Sequence, residues 1–464
     1  MNQVFVVRNL VMQSFLRALL GITMALTAFS SLAAPYQVVG GSGHTLVLDG
    51  DGTLWGWGYN KYGSVGDGST IAESPYAQTT PRRAAITDVV SIAAGQGFNI
   101  AVKSDGSIWT WGSGYLGHGA YEERFTPTRV AGLLNFKQAA SGLFHTLALK
   151  HDGTVTAWGN NSRGAVGDGT QTHRPSPVSI PLSNVTAIAA AGHSLALKSD
   201  GTVWAWGENG YGQAGGVVGQ HSPIPTRMEG LSDVKAIAAG GYHSLALKNN
   251  GTVWAWGEGI ALGNGTGARS AVPVQVSISN VVAIDAGDSF SLALKDDGTV
   301  WIFGVYTYSQ SGSSQVSFVP RQVEGLSGVK AIGAGFSHSI AILADGTVRT
   351  WGKNDVGQLG NGASGAESNA PVAVPGANGN LVLQGERALK TGVDRLYNWA
   401  ESAFPQLLFP HAVSGWFEGY YYRCYQSGAC LGEAGGRVFL YQGTLADVGS
   451  ATELLNGYAI PSGY

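Results

Sequence analysis

The chain has 464 residues, of which 44% are hydrophobic and 12% charged, with a formal net charge of −3 at pH 7. The charged share is about half the usual one near 25%, so a long, apolar, aromatic-rich chain of this kind is not an intrinsically disordered one. It carries no block of basic residues, which excludes a surface built to track a phosphate backbone, so no nucleic-acid partner is expected.

At the N-terminus, Arg8 and Arg17 precede an uncharged stretch from Ala18 to Leu32, and Ser31-Leu32-Ala33 supplies small residues around a cut. This pattern predicts a secretory signal peptide over 1–33 and therefore an exported protein, periplasmic or extracellular. The apolar run is short for a span of about 30 Å, and no later segment is apolar enough to span, so no membrane segment is expected after removal. Loss of Arg8 and Arg17 takes the formal charge from −3 to −5.

From Gly41 to Gly352 one segment recurs seven times, about every 48 residues; its clearest copy is GGYHSLALKNNGTVWAWG, starting at Gly240. Each copy reads as two short strands around an Asp-Gly or Asn-Gly turn, such as Asp152-Gly153, Asn250-Gly251 and Asp345-Gly346. Those dipeptides suit a two-residue hairpin with positive φ. Both parities of the strands are apolar or small, as expected for sheets covered on both faces. Two further pieces complete each unit: one containing proline (Pro225–Met228, Pro273–Val276, Pro320–Val323), and one of the VKAIAAG type before the next copy. Four antiparallel strands in seven units predict an all-β, seven-bladed β-propeller over 34–377. Tyr36–Val39 and Pro371–Val374 are expected to share one blade and so clasp the ring.

Three motifs recur together: the G-x-x-H-[ST]-L-A-L strand, the D-G-T-V-W-x-W-G hairpin, and an N-x-x-G-x-x-G-x-G loop standing as NKYGSVGDG (60–68), NSRGAVGDG (161–169) and NDVGQLGNG (354–362). In these the chain resembles the regulator of chromosome condensation repeat family over about 36–375. The resemblance implies a seven-bladed propeller. It also implies functions known among members: light sensing through clustered Trp, guanine-nucleotide exchange, or inhibition of an enzyme by a secreted ring.

Several residue columns invite a chemical reading. Eleven of the 13 Trp fall in two columns, Trp55 to Trp301 and Trp57 to Trp351. Packing is the expected role, because each buried indole contributes on the order of 5 kcal/mol gross. His44, His145, His193, His243 and His338 form another column, with Phe98 and Phe290 at the same position. A metal would need three or four converging on one ion, whereas the repeat spreads them around a ring. A packed position whose ring nitrogen bonds local backbone is expected, and no metal. No P-loop, nucleophile elbow, zinc helix or paired-carboxylate constellation appears, so neither catalytic residues nor cofactors are expected.

Variation inside the constant frame marks a candidate binding rim. Four residues after each W-G or F-G pair stand Tyr62, Leu116, Arg163, Tyr211, Ala261, Tyr308 and Val356. Tyr and Arg are favoured interface anchors, so Tyr62, Arg163, Tyr211 and Tyr308, with Tyr306 in the divergent 305–315 loop, are the candidate partner-binding residues. Degeneration of that loop without a role is the alternative.

The repeat stops near Asn380, and 381–464 reads as a small α+β module. A helix carries Leu389, Val393, Leu396, Ala400 and Phe404; strands follow at 420–425, 429–433 and 437–441, then a short helix opened by Ser450 and Glu453. The module is similar to an uncharacterised tail of exported bacterial proteins, on N-W-A-E (398–401) and Y-Y-R…L-G…G-R-V-[FY]. Cys424 and Cys430 are the only cysteines, and in an exported chain such a pair is expected to form a disulfide. The reading as a whole is an exported, monomeric, non-enzymatic propeller that binds a protein or cell-surface glycan through its rim. A nucleotide-exchange or UV-sensing ring is the alternative.

Overall fold

The computed structural model describes residues 36–307, 315–376 and 379–383, together with five strands between His411 and Ala459. The predicted signal peptide and both predicted C-terminal helices lie outside the described residues. The chain divides into two compact units, one holding the repeats and one holding the C-terminal strands.

In the first unit the described residues form seven four-stranded antiparallel sheets, each from one continuous stretch. Blades 1 to 7 run over 37–83, 89–129, 136–179, 185–227, 234–275, 281–322 and 329–373. Blade 5 is representative, with strands Val234–Ala239, His243–Lys248, Val253–Gly257 and Ser270–Gln275 paired in that order from the inside out. The VKAIAAG-type piece is therefore the innermost strand of the blade that follows it.

That phase corrects the expected closure. Gln37–Gly40 is the first strand of blade 1, and Ser368–Ala373 is the fourth strand of blade 7, so the two chain ends do not share a sheet. Blade 7 meets blade 1 by packing, side-chain bonds and isolated backbone bonds, Phe336 N–H to the Gly41 carbonyl at 3.1 Å and Gly362 N–H to the Thr79 carbonyl at 2.9 Å.

The hairpin turns also differ from expectation. Lys248 N–H bonds Thr252 C=O and Gly251 N–H bonds Lys248 C=O, which makes a three-residue loop. Gly251 alone takes a positive φ, of 79°, while Asn250 stays out of the left-handed region. The Asn250 side chain instead accepts the N–H and hydroxyl of Thr252, at 3.1 and 2.7 Å. Asp152, Asp200, Asp297 and Asp345 do the same for the Thr two residues on. The D-G-T signature thus encodes an Asx turn followed by a glycine bulge.

Every outermost strand carries proline: Pro81, Pro127, Pro175, Pro223, Pro273, Pro320 and Pro371. Proline removes a donor from the free edge and blunts it against further strand addition. The second and third strands are buried on both faces because neighbouring blades stack. Leu195, Leu197, Val203 and Ala205 of blade 4, for example, pack with Ala246 and Trp256 of blade 5.

In the second unit, His411–Phe417, Tyr420–Tyr425, Ala429–Ala434, Arg437–Gln442 and Tyr458–Ala459 form a five-stranded antiparallel sheet in chain order. Three of these strands match the expected ones. The register sets Cys424 opposite Cys430.

Candidate functional site

The histidine column does its work between blades. His243 Nε2 lies 2.8 Å from Ser291 Oγ of blade 6, and Ser291 donates to the Ala261 carbonyl at 3.1 Å. His145 reaches Ser194 at 2.7 Å, His193 reaches Ser244 at 2.6 Å, and His44 reaches the Asn99 amide oxygen at 2.6 Å. His338 reaches Thr45 at 2.7 Å across the closing seam. Local backbone is therefore not the partner of this nitrogen, as the isolated repeat suggested. The bonded atom belongs to the next blade.

Three of the seams complete a clasp. The Ala165 carbonyl of blade 3 accepts Ser194 Oγ at 2.8 Å and Trp206 Nε1 at 2.9 Å, both from blade 4. Gln213 and Gln358 receive the same pair of donors at the 4–5 and 7–1 seams. Because the hydroxyl donates to the carbonyl, the imidazole donates its Nε2–H to the hydroxyl, which fixes the tautomer; burial is what keeps the ring neutral. Burial holds His44 and His145 down to about 4 and His193, His243 and His338 down to about 3. Both the Trp and the His columns are thus structural.

These connections position the exposed face. In every blade the first-to-second and third-to-fourth strand connections emerge on the same side of the ring. Buried Asn60, Asn161, Asn209 and Asn354 each open a third-to-fourth loop and accept a backbone N–H five residues on, at 2.9–3.1 Å. That is the role of the Asn in the N-x-x-G-x-x-G-x-G motif. Blade 2 departs: its third and fourth strands, Ile108–Tyr115 and Tyr121–Arg129, extend into a longer hairpin.

On this face the first cavity of note is an aromatic hollow of about 550 Å³ beside blades 7, 1, 2 and 3. Tyr59, Tyr62, Tyr115, Tyr121, Phe144 and Phe336 line it. Tyr121 and Phe144 are 63% and 54% exposed, unusually open for rings of that size. A narrower channel of about 290 Å³ runs between the innermost strands and is walled mainly by Ala and Gly. Two acidic side chains line it, Asp285 and Asp288, and Asp285 is already engaged, accepting the N–H groups of Ala286 and Ala334 at 2.9 and 2.8 Å.

The five candidate rim residues meet different fates. Tyr62 is half-buried in the wall of the hollow, edge-on to Tyr59 at 6.1 Å, with Lys61 Nζ 5.2 Å from its ring centre. Exposed Arg163 pairs with Glu208. Tyr211 stacks against Tyr242 at 5.1 Å and carries the Arg269 guanidinium at 5.6 Å. Tyr306 is described only as part of the strand Val300–Thr307, and Tyr308 lies outside the described residues. Two members of the same column, Leu116 and Ala261, are fully buried, so the column is not uniformly a rim. Sequence reasoning passed over Tyr59, Phe144, Tyr242, Glu258 and Asp288. Their signal was present in two other variable columns: the residue directly after each W-G pair, and the short slot just before the histidine column.

The sequence profile described as RCC1-like domain matches residues 22–266. Profiles of the regulator of chromosome condensation (RCC1) repeat match 281–310 and 329–358, and 250–294 and 345–385. The chain belongs to the RCC1-like domain family. Its RCC1-like ring is similar to the solved structure of human WBSCR16, with a TM-score of 0.63 at 23% identity, covering 70% of this chain and 94% of that one. Over 103 residues it is 34% identical to the ultraviolet-B receptor UVR8 of Arabidopsis thaliana, covering 21% of this chain and 22% of the receptor. Over 99 residues it is 34% identical to the E3 ubiquitin-protein ligase HERC2 of Homo sapiens, covering 20% of this chain and 2% of the ligase. The matches therefore span only a minor part of either curated relative.

Proposed function

We propose that this RCC1-like ring is an exported, non-enzymatic scaffold that binds a protein or surface glycan, with the protein favoured. The face bearing the first-to-second and third-to-fourth connections is the binding surface. One observation carries the reading: the open aromatic hollow on that face, where Tyr59, Tyr62, Tyr121 and Phe144 stand on a closely packed frame. Aromatic anchors around a preformed hollow lose little conformational freedom on binding, which is what an interface centre needs. Arg163 and Tyr211 extend the same surface.

Export rests on the residues before Ala34, and the facing register of Cys424 and Cys430 supports a disulfide formed in an oxidising compartment. Of the two carboxylates lining the channel, Asp285 already accepts two backbone donors, so the channel presents no free carboxylate pair for acid–base work. The test is capture from an envelope extract by the purified ring, compared with a Tyr62→Ala, Phe144→Ala double variant of unchanged thermal stability. The expected result is loss of the captured partner in the variant. Capture that persists at full strength removes the hollow from the reading.

A further inference from the structure

The aromatic hollow occupies one side of the binding face; the other side, over blades 4 to 6, is differently built. Glu208 and Glu258 each follow a W-G pair, and Asp288 lies in the first-to-second connection of blade 6. Tyr211 and Tyr242 stand between them with ring centres 5.1 Å apart. The cations here are engaged, Arg163 with Glu208 and Arg269 over the Tyr211 ring, from where its charge partly offsets the rise that burial gives the Glu258 carboxyl. By contrast Glu258 Oε2 and Asp288 Oδ1 are both shielded from solvent and have no hydrogen-bond partner.

The shielding has a cost that a ligand could relieve. Burial first, and then the charges of Glu258 and Glu208, push the Asp288 carboxyl up to about 6, against a side-chain bond from Ser289 that lowers it. The Asp288 charge in turn raises the Tyr242 phenol, ahead of burial and of Glu208. Gly241 leaves room for this carboxylate, since a Cβ there would sit 2.0 Å from Asp288 Oδ1. Asp288 also adjoins the aromatic hollow, because its N–H donates to the Phe336 carbonyl at 3.0 Å, and Phe336 lines both the hollow and the channel mouth. On the hollow's side no carboxylate among the described residues is crowded in this way: Lys353 is bound to Asp355 at 2.7 Å, and Lys61 lies over the Tyr62 and Tyr76 rings.

Resting on the binding role proposed above, we infer that the partner is a protein segment with an arginine or lysine beside an apolar anchor. The cation seats between Glu258 and Asp288 against Tyr242, and the anchor fills the hollow of Tyr59, Tyr62 and Phe144. A guanidinium or ammonium supplies the donors that Glu258 Oε2 and Asp288 Oδ1 lack, and the neighbouring ring faces favour the same charge. A neutral glycan offers hydroxyl donors but no charge to offset crowded carboxylates.

The test uses three fluorescein-labelled peptides of equal length, alternating Trp with Arg, with Ser or with Glu, and reads anisotropy on the whole protein. The Arg peptide binds tightest. Its affinity falls at least about tenfold in a Glu258→Gln, Asp288→Asn variant and also falls as salt rises from about 50 to about 300 mM. Thermal melts of the variant confirm that it is folded; a variant that does not fold is replaced by the single Asp288→Asn change, read in the same way. Equal binding of the Arg and Ser peptides overturns the inference, as does indifference of the Arg peptide to the substitutions. If an envelope partner is captured through the hollow yet ignores Glu258→Gln, Asp288→Asn, the binding role stands and this inference alone fails. If neither set of substitutions alters capture, both fail.

Discussion

Replacing His243 by phenylalanine should flatten the acid limb of the ring's stability curve. The substitution is one the chain already accommodates, since Phe290 occupies the same register position in blade 6, behind Gly287 as His243 sits behind Gly240. His243 is fully buried, and its pKa falls from 6.5 to about 3 because burial penalises the charged ring. Between those values the unfolded chain binds a proton that the folded chain refuses. The stability contributed by the neutral ring is therefore complete above the unfolded pKa of 6.5 and drains away as pH falls towards about 3. At about pH 5 the loss is roughly 1.5 pH units at about 1.36 kcal/mol each, or about 2 kcal/mol. The ionisable side chain that senses this ring is His193, whose own pKa is lowered by burial and then by His243. At neutral pH the Phe variant loses the bond to Ser291, about 1 kcal/mol. Urea unfolding at about pH 7 and pH 5 should show the pH-dependent gap shrinking by about 2 kcal/mol in the variant. An unchanged gap would refute the neutral, buried imidazole and the clasp built on it.

The blade 2–3 seam offers a contrast. Phe98 cannot donate to Thr146, and Thr146 Oγ1 and Trp158 Nε1 are buried without partners, so Thr146→Val should change stability by less than about 0.5 kcal/mol. Ser244→Ala, which strands the His193 N–H, should cost about 1–3 kcal/mol in the same denaturant assay. Gly251→Ala forces a side chain to a φ of 79° and should lower the unfolding free energy by about 1–2 kcal/mol. Titration of the intact chain with a thiol reagent after denaturation should find no free thiol when the protein is recovered from an oxidising compartment, and two after reduction; free thiols in the first sample would contradict the Cys424–Cys430 bond. UV-B irradiation should leave the elution volume unchanged. Trp109, Trp204, Trp254 and Trp301 each carry a lysine of their own blade 4.8–5.4 Å from the ring, so these indoles are engaged within the blade; a change of oligomeric state would favour the light-sensing alternative.

Periodicity alone determined the blade count, because a sheet apolar on both faces must be covered twice, and seven such units in register have few arrangements other than a ring. Proline in every outer strand and the D-G-T turn were equally legible, since each acts within a few residues of itself. The closure was misread because the repeat's phase is invisible along the chain: the piece before each copy pairs forward, which only the hydrogen-bonded register reveals. His243 looked like a locally bonded core residue because its acceptor, Ser291, is 48 residues away in another blade. Tyr62, Arg163 and Tyr211 were picked out by their variability, whereas Leu116 in the same column is buried in blade 2, whose hairpin is longer. Asp288, Glu258 and Tyr242 come from three separate connections. Their crowding, and the charge it leaves unanswered, exists only once stacking sets the blades side by side, since electrostatic coupling depends on distance through space and not along the chain.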